Sequence, residues 1–468
     1  MKDGELSRRM FLGAGGAFAL LNGGCAFRAP AGLFGGGAAK FRFGVISDVH
    51  IREPGDERHL LGALRFFRER GADGVMVAGD IADQGRISQL KIFADAWYSV
   101  FPDDRGLGGQ KVEKLFIYGN HDIWGATNDP ELAKRRDGIG YDDARPARVW
   151  EELFHEPYSD FWIKNVKGYS FIGGHWTKKD NFNGLDAFLG AHEKELDPSK
   201  PFFYTQHAHP KDTCYGAWAW GHDNGESTRA LSRFPNAVAF SGHSHYSITD
   251  ERSIWQGKFT SIGTSSLRYI FSQYWRDNGE DHNGIVKQMR ILPERSGRQG
   301  MLVKVYDDRM VIERREFVRG ESLGADWVVP LDGTRPFAFE PRSAKAVAPA
   351  FAPGAKVEVS RARGKDRRGR ETDQVTVRFP AAMPSATSRV HDYEVTALAY
   401  HEDVDYPVAT KRVLSESYFL PPTREAKSGY IVFAASELKG VGAVRFAVRP
   451  LECFGHKGPE IYSDMFAL

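Results

Sequence analysis

The sequence predicts an α/β domain, a sheet covered by helices, followed by an all-β sandwich. Three observations carry this. Apolar runs end abruptly in polar clusters, as Leu115-Phe116-Ile117-Tyr118 does in Gly119-Asn120-His121-Asp122. That is how a buried strand delivers polar groups at its carboxyl end. Segments with apolar residues at helical spacing alternate with these runs. Past about residue 340 the composition turns first to Ala and Pro, then to short, evenly spaced β segments.

In chain order, Ser7-Arg8-Arg9-Met10-Phe11-Leu12 places two arginines before an apolar Gly/Ala-rich stretch that runs to Leu21. It resembles a twin-arginine export signal and is short for a membrane span. Residues 1–40 are therefore expected to be signal and linker, and the protein to be exported, periplasmic or extracellular. Cys25, after Leu20-Leu21-Asn22-Gly23-Gly24, leaves membrane tethering by lipidation as the less favoured alternative.

From Phe41 the strand-like runs begin. Phe43-Gly44-Val45-Ile46 leads into Ser47-Asp48-Val49-His50, and Gly74-Val75-Met76-Val77-Ala78 into Gly79-Asp80. Pro201-Phe202-Phe203-Tyr204-Thr205 leads into Gln206-His207-Ala208-His209, and Asn236 to Phe240 into Ser241-Gly242-His243-Ser244-His245. Helical spacing appears from His59 to Phe67 and from Ile87 to Val100. Trp124 to Glu156 has no clear period and reads as an insertion over the mouth of a site. Lys211 to Asn224 reads as an aromatic loop, with a short helix after it. Met301 to Phe317 alternates around Asp307-Asp308, as a hairpin does. The expected domain spans residues 41–335, with a linker at 336–354. Strands are expected from Lys356, Gln374, Tyr393 and Ala443 in a sandwich over 355–468. Its ending, Arg445 to Gly458, resembles the last hairpin of a fibronectin type III module.

Composition excludes several classes. Lys and Arg (63) nearly balance Asp and Glu (61), so no net field favours nucleic acid or an anionic membrane. Three scattered cysteines argue against a disulfide framework or a thiolate zinc site. The fifteen histidines are the better metal ligands.

Ligands in α/β sheets sit beyond the carboxyl ends of the strands, so five such ends point Asp, Asn and His toward one place. Carboxylate, imidazole and amide oxygen together suit Mn, Fe or Zn. Asp48-x-His50, Gly79-Asp80, Gly119-Asn120-His121-Asp122, His207 and Gly242-His243-Ser244-His245 resemble, in order and in strand context, the calcineurin-like metallophosphoesterase family. The resemblance implies a four-layer α/β/β/α sandwich with two mixed sheets flanked by helices. It also implies two divalent metal ions: Asp48, His50 and His245 on one, Asn120, His207 and His243 on the other, and Asp80 bridging. A hydroxide between the metals would be the nucleophile. His121 would protonate the leaving group, oriented by a carboxylate such as Asp48, and the substrate would be a small phosphomonoester or phosphodiester. The family usually shows a His with Pro two positions on; in His207-Ala208-His209-Pro210, strand phase favours His207 and leaves His209 as the alternative.

Other residues carry weaker readings. Asp83 and Asp122 are expected to support the ligands or simply to sit in loops. His175 and His222 are placed near the mouth, and Trp124, Trp218 and Trp220 either wall the pocket or pack in the core. His59, His155, His192, His391, His401 and His456 are expected to be solvated. The competing function is a surface binding or adhesion protein that uses its β-sandwich, with the α/β domain as scaffold.

Overall fold

The computed structural model describes residues 37–468 except 179–181, 183, 217–219, 273–289, 292–297, 366–369 and 425. The expected export signal with Cys25, and the wall residue Trp218, lie outside the described residues. No helix among the described residues is long and apolar enough to cross a membrane.

Two mixed sheets pack face to face. The first runs β14 (Glu321–Ser322), β13 (Arg309–Glu316), β12 (Gln299–Val305), β1 (Phe41–Ile46), β2 (Gly74–Ala78) and β3 (Glu113–Ile117), and β15 (Trp327–Pro330) also pairs with β13. Strands β1, β2 and β3 are parallel. The second sheet runs β4 (Phe161–Val166), β5 (Tyr169–Gly174), β6 (Phe202–Thr205), β7 (Ala237–Ser241), β9 (Thr260–Gly263) and β8 (Ile254–Gln256). Here β5, β6, β7 and β9 are parallel. Two short strands, β10 (Phe271–Ser272) and β11 (Arg290–Ile291), pair with each other.

The two-residue period of each strand divides its side chains between layers. In β1, Phe41, Phe43 and Val45 face the second sheet, where Phe43 meets the rings of Phe171 and Phe203 at 5.1 and 4.9 Å. On the other face, the absent side chain of Gly44 makes room for the Phe67 ring of α1 (Arg58–Glu69). That outer core also takes in α2 (Ile87–Val100) and α5 (Arg145–Phe154). Beyond the second sheet, Leu185 and Leu189 of α6 (Leu185–His192) and Leu231 of α7 (Glu226–Leu231) cover Ile172, Tyr204 and Ala239. Helix, sheet, sheet and helix thus form the four expected layers.

The expected insertion is more ordered than its sequence suggested. It follows α3 (Asn120–Trp124) and contains α4 (Pro130–Ala133) and α5, whose Val149, Trp150 and Phe154 are buried against the outer core. Only ten residues long, α5 carries too few turns for its period to stand out from the polar sequence around it.

The C-terminal part is a separate pair of antiparallel sheets. One holds β16 (Glu358–Lys365), β17 (Glu371–Pro380) and β20 (Ser428–Ala434). The other holds β19 (Val404–Leu414), β18 (Asp392–His401), β21 (Ala443–Leu451) and β22 (Ile461–Tyr462), with β23 (Phe466–Ala467) also on β21. Val375, Val377, Phe379, Val395, Phe446 and Val448 fill the space between them. The sequence reading missed β19 and β20; β19 contains Pro407 and is exposed or half-exposed at all but Arg412 and Leu414, so it shows little alternation.

The Ala/Pro-rich stretch expected as a linker is packed. It forms α8 (Phe339–Lys345), whose buried Arg342 donates to the Glu251 and Ile254 carbonyls. Next to it the two domains share a buried polar junction. Asp250 accepts from Arg252 Nη2 at 2.6 Å and from the Tyr418 hydroxyl at 2.8 Å. Thr249 Oγ1 donates to the Tyr418 carbonyl, and His391 Nε2 lies 3.2 Å from Arg252 Nη2. His391 is therefore buried, contrary to expectation, because the start of β18 packs on the 250 loop. His155, His401 and His456 are exposed as expected, and His59 and His192 are half-buried. Burial opposes the charge on Asp250, but Arg252 beside it holds the carboxyl far below its ordinary range.

Removing one partner of a buried ion pair strands the other. Asp250→Asn should lower unfolding free energy by about 3–5 kcal/mol, and Tyr418→Phe by about 1.5–3 kcal/mol, both read by chemical denaturation. Changes within about 0.5 kcal/mol for both variants would show that the junction is not a stabilising contact.

Candidate metal centre

Each side chain in the centre follows the carboxyl end of a parallel strand: Asp48 and His50 after β1, Asp80 after β2, Asn120 and His121 after β3, His207 after β6, and His243 and His245 after β7. Beyond their strand ends, the first two loops stay paired through Asp48 N to Gly79 O, His50 N to Asp80 O and Ile51 N to Ile81 O. This pairing turns the chain sharply. Asp48, His50, Asp80, His243 and His245 all have positive φ, between 47 and 66°. A left-handed backbone at a residue with a side chain costs about 1–2 kcal/mol, so the packing around the site must hold it in place. Gly79 (φ 88°) sits where a Cβ would come within 2.6 Å of His207 Nδ1, and a Cβ on Gly242 would overlap Ser47 and Asp48.

Three groups of donor atoms result among the described residues. Asp48, His50 and His245 form one, Asp80, His207 and His243 another, and His50, Asp83 and His121 a third; within each group the ligand atoms lie within 4.8 Å of one another. His245 Nε2 is 2.8 Å from Asp48 Oδ1, and His207 Nε2 is 3.0 Å from Asp80 Oδ2. His50 Nε2 lies 3.6 Å from Asp80 Oδ2 and 3.8 Å from Asp48 Oδ1, which joins the first two groups. Asp48 Oδ1, Asn120 Oδ1 and His207 Nε2 are buried without a hydrogen-bond partner. Unpaired buried polar atoms are costly, and two of them, Asp48 Oδ1 and His207 Nε2, lie 3.9 Å apart, where a cation would satisfy both.

The far sides of the ligands are tied down. His207 Nδ1 bonds the Ala78 carbonyl (2.7 Å), His245 Nδ1 the Tyr269 carbonyl (2.9 Å) and His50 Nδ1 the Asp83 carboxylate (3.1 Å). Each bond leaves Nε2 facing the centre. Asp48 Oδ2 accepts from Ser47 Oγ and from the His243 amide, and Asp80 Oδ1 from the His121 amide. Asp122 accepts from the Ile81, Ala82 and Gly119 amides, so it supports the loops from below.

The charges are mutually dependent. Burial opposes ionisation of Asp48, yet His245 and His207 hold its carboxyl well below the usual range. Burial likewise opposes charge on His50 and His207, but the neighbouring carboxylates raise them to about 10 and about 9. His243 is pushed down to about 3 by burial, with His207 adding to it. Protons thus do in the cluster what a cation would do.

His121 is half-buried, its ring 4.7 Å from that of His50. Its Nδ1 bonds the Asp83 main-chain carbonyl at 2.7 Å, so Asp83, rather than the expected Asp48, orients it. Asp48 instead accepts from Ser47 Oγ and the His243 amide through Oδ2. His209 is buried with Nε2 on Ser244 Oγ (2.8 Å), outside all three donor groups. His175 is a core residue whose Nδ1 accepts from the Tyr118 amide, and burial takes it down to about 3. His222 is bound to the Cys214 carbonyl in the aromatic loop. Trp124 packs edge-on against Trp176, and Trp220 stacks on His243. Sequence reasoning missed Tyr269, whose ring lies 4.4 Å from His245 and 5.4 Å from His50, and Trp176, which is 5.6 Å from His243. Both follow the ends of parallel strands, Trp176 after β5 and Tyr269 after β9, but an aromatic ring offers no ligand atom and was not read as a signal.

Residues 41–247 match a family model described as calcineurin-like phosphoesterase. No curated protein matches the chain by sequence. Among solved structures, a dimetal phosphatase from Danio rerio is 12% identical, with a TM-score of 0.37, over 63% of this chain and 100% of that one. A purple acid phosphatase from yellow lupin is 12% identical, with a TM-score of 0.40, over 64% and 55%. GAP50, described as the anchor in the inner membrane complex of Plasmodium, is 12% identical, with a TM-score of 0.38, over 64% and 91%. The family match covers all five strand ends that carry the donor cluster, and it is to a calcineurin-like phosphoesterase domain that residues 41–247 are similar.

Proposed function

We propose that the protein is a phosphoric ester hydrolase that works with two divalent metal ions and acts on a phosphomonoester or phosphodiester. The observation that carries this reading is the clustering of Asp48, His50, Asp80, His207, His243 and His245, delivered by the ends of β1, β2, β6 and β7, with their ligand atoms within 4.8 Å in each group. Asp48, His50 and His245 would hold one ion, Asn120, His207 and His243 the other, with Asp80 shared. Ions bound there supply positive charge for the phosphoryl oxygens and favour ionisation of water near neutral pH.

In the reaction, an oxygen from water bonds to phosphorus while the bond from phosphorus to the leaving-group oxygen breaks, and that oxygen takes up a proton. His121 would give that proton. Its Nδ1 is engaged with the Asp83 carbonyl, which leaves Nε2 as the transferring atom. Asp83 thus supports two residues, through its carboxylate on His50 and its carbonyl on His121. Arg52 in turn holds the Asp83 carboxylate at 2.9 Å.

The C-terminal sheets contribute none of these side chains, and in this reading they form a fibronectin type III-like module with a structural role. Their junction at Thr249, Asp250 and Arg252 braces the segment that follows His243 and His245. The Arg8-Arg9 segment would direct export.

The direct test is hydrolysis of p-nitrophenyl phosphate and its bis ester by the full chain loaded with Mn²⁺, Fe²⁺ or Zn²⁺. Metal bound without turnover of any phosphoester would overturn the reading. His121→Ala should lower kcat by roughly 10²–10⁴-fold with metal content unchanged. The loss should be larger for alkyl esters, whose leaving oxygen depends more on a proton, and equal losses for both would remove His121 from the acid role. Asp80→Asn should reduce metal content itself, as mass spectrometry of the purified protein would show. Metal uptake has a pH signature of its own. With His50 raised to about 10 and His207 to about 9, the metal-free protein carries protons that binding must expel. Affinity for Mn²⁺ should therefore rise with pH toward that range. Calorimetry near pH 7.5 in buffers of different ionisation enthalpy should show proton release, and none would contradict the assignment.

A further inference from the structure

Two segments hold His245 in place, and both end on the C-terminal domain. The first is its own chain, which runs through Ser247 to Thr249 and Asp250. Ser247 Oγ lies 2.7 Å from Thr249 Oγ1. Thr249 Oγ1 donates to the Tyr418 carbonyl, and Asp250 accepts from the Tyr418 hydroxyl at 2.8 Å. The second segment is residues 266–270, after β9. There the Tyr269 carbonyl bonds His245 Nδ1 at 2.9 Å, and the Tyr269 ring lies 4.4 Å from that of His245. The next residue, Ile270, is buried in an apolar cluster with Leu414 and Tyr418 of the sandwich. Tyr418 therefore joins both segments, one through its carbonyl and hydroxyl, the other through its ring.

The 266–270 stretch also reaches Asp48. Ser266 Oγ donates to the Asp48 carbonyl at 3.1 Å and accepts from the Tyr269 amide at 3.2 Å, while the Leu267 amide donates to the Ser47 carbonyl at 2.9 Å. The ring of Tyr269 lies 5.4 Å from that of His50. Asp48, His50 and His245, the three groups assigned to one ion, thus all touch this stretch. The groups assigned to the other ion are anchored within the first domain. His207 Nδ1 bonds the Ala78 carbonyl, the His243 ring packs on Trp176, and Asn120 opens α3.

The bond at Nδ1 of a ligating imidazole aims its Nε2, so the Tyr269 carbonyl can aim His245 only as well as its own backbone is held. The burial of Ile270 against Tyr418 is what holds it. We infer that Tyr418 is a positioning residue for the ion on Asp48, His50 and His245, and that the C-terminal domain sets the affinity of this ion and not of the other. This rests on the two-metal reading above and adds an asymmetry to it.

The test is calorimetric titration of the metal-free full chain with Mn²⁺. The wild type should take up two ions. Tyr418→Ala should weaken one of them by about 10–100-fold and leave the other unchanged. Chains with a single site identify which. Tyr418→Ala should weaken the remaining ion when combined with His207→Ala, and leave it unchanged when combined with His245→Ala. Ile270→Val trims the same contact by one methylene and keeps the fold, so it should weaken the same ion by a smaller factor. Phe433→Leu, between the sandwich sheets, removes stability away from the junction and should leave both ions unchanged. Equal weakening of both ions, weakening matched by Phe433→Leu, or affinities unchanged in Ile270→Val and in Tyr418→Ala would overturn the inference while the two-metal reading stands. A wild type that takes up fewer than two ions would overturn both.

Discussion

The constraint on which this structure depends is electrostatic. Asp48 and Asp80 are buried within a few ångströms of four imidazoles, and carboxylates at such depth require compensating positive charge. The neighbouring carboxylates raise His50 to about 10 and His207 to about 9, so protons on these two rings can supply it. Bound cations would supply more of it in less space.

Bringing these groups together shapes the backbone. Parallel strands from two sheets end near the same place, and their loops must turn at once, because extended segments would carry the side chains away from one another. The left-handed conformations at five donor residues are the cost of that turn. The tight approach of Gly79 to His207, and of Gly242 to Ser47 and Asp48, leaves no room for side chains at those positions. The cores on either side, with Phe43 between the sheets and Phe67 against Gly44, give the rigidity that keeps strained loops in place.

The C-terminal domain enters this scheme through position. The segment that carries His243 and His245 runs directly into Thr249, Asp250 and Arg252, which are held by Tyr418 and His391 from the sandwich. Asp83 connects His50, His121 and Arg52. Polar contacts therefore reach the donor cluster through both segments, and the rings of Tyr269, Trp176 and Trp220 pack on its histidines.

Much of this was legible in the sequence, for a definite reason. A strand end is a local event, so an apolar run stopping at Asp-x-His, Gly-Asp or Gly-Asn-His-Asp can be read from a few adjacent residues, and the alternation of strands with helices follows from the same periodicities. That local information determined the α/β class, the separate β-rich C-terminal part and the set of candidate donors. What a residue touches across the sheets has no such signature. Tertiary structure alone buried His391 at a domain junction and His175 in the core, gave the orientation of His121 to Asp83, and placed Tyr269, Trp176 and Trp220 around the centre. Those contacts join positions tens to hundreds of residues apart, and only the packed layers bring them within reach.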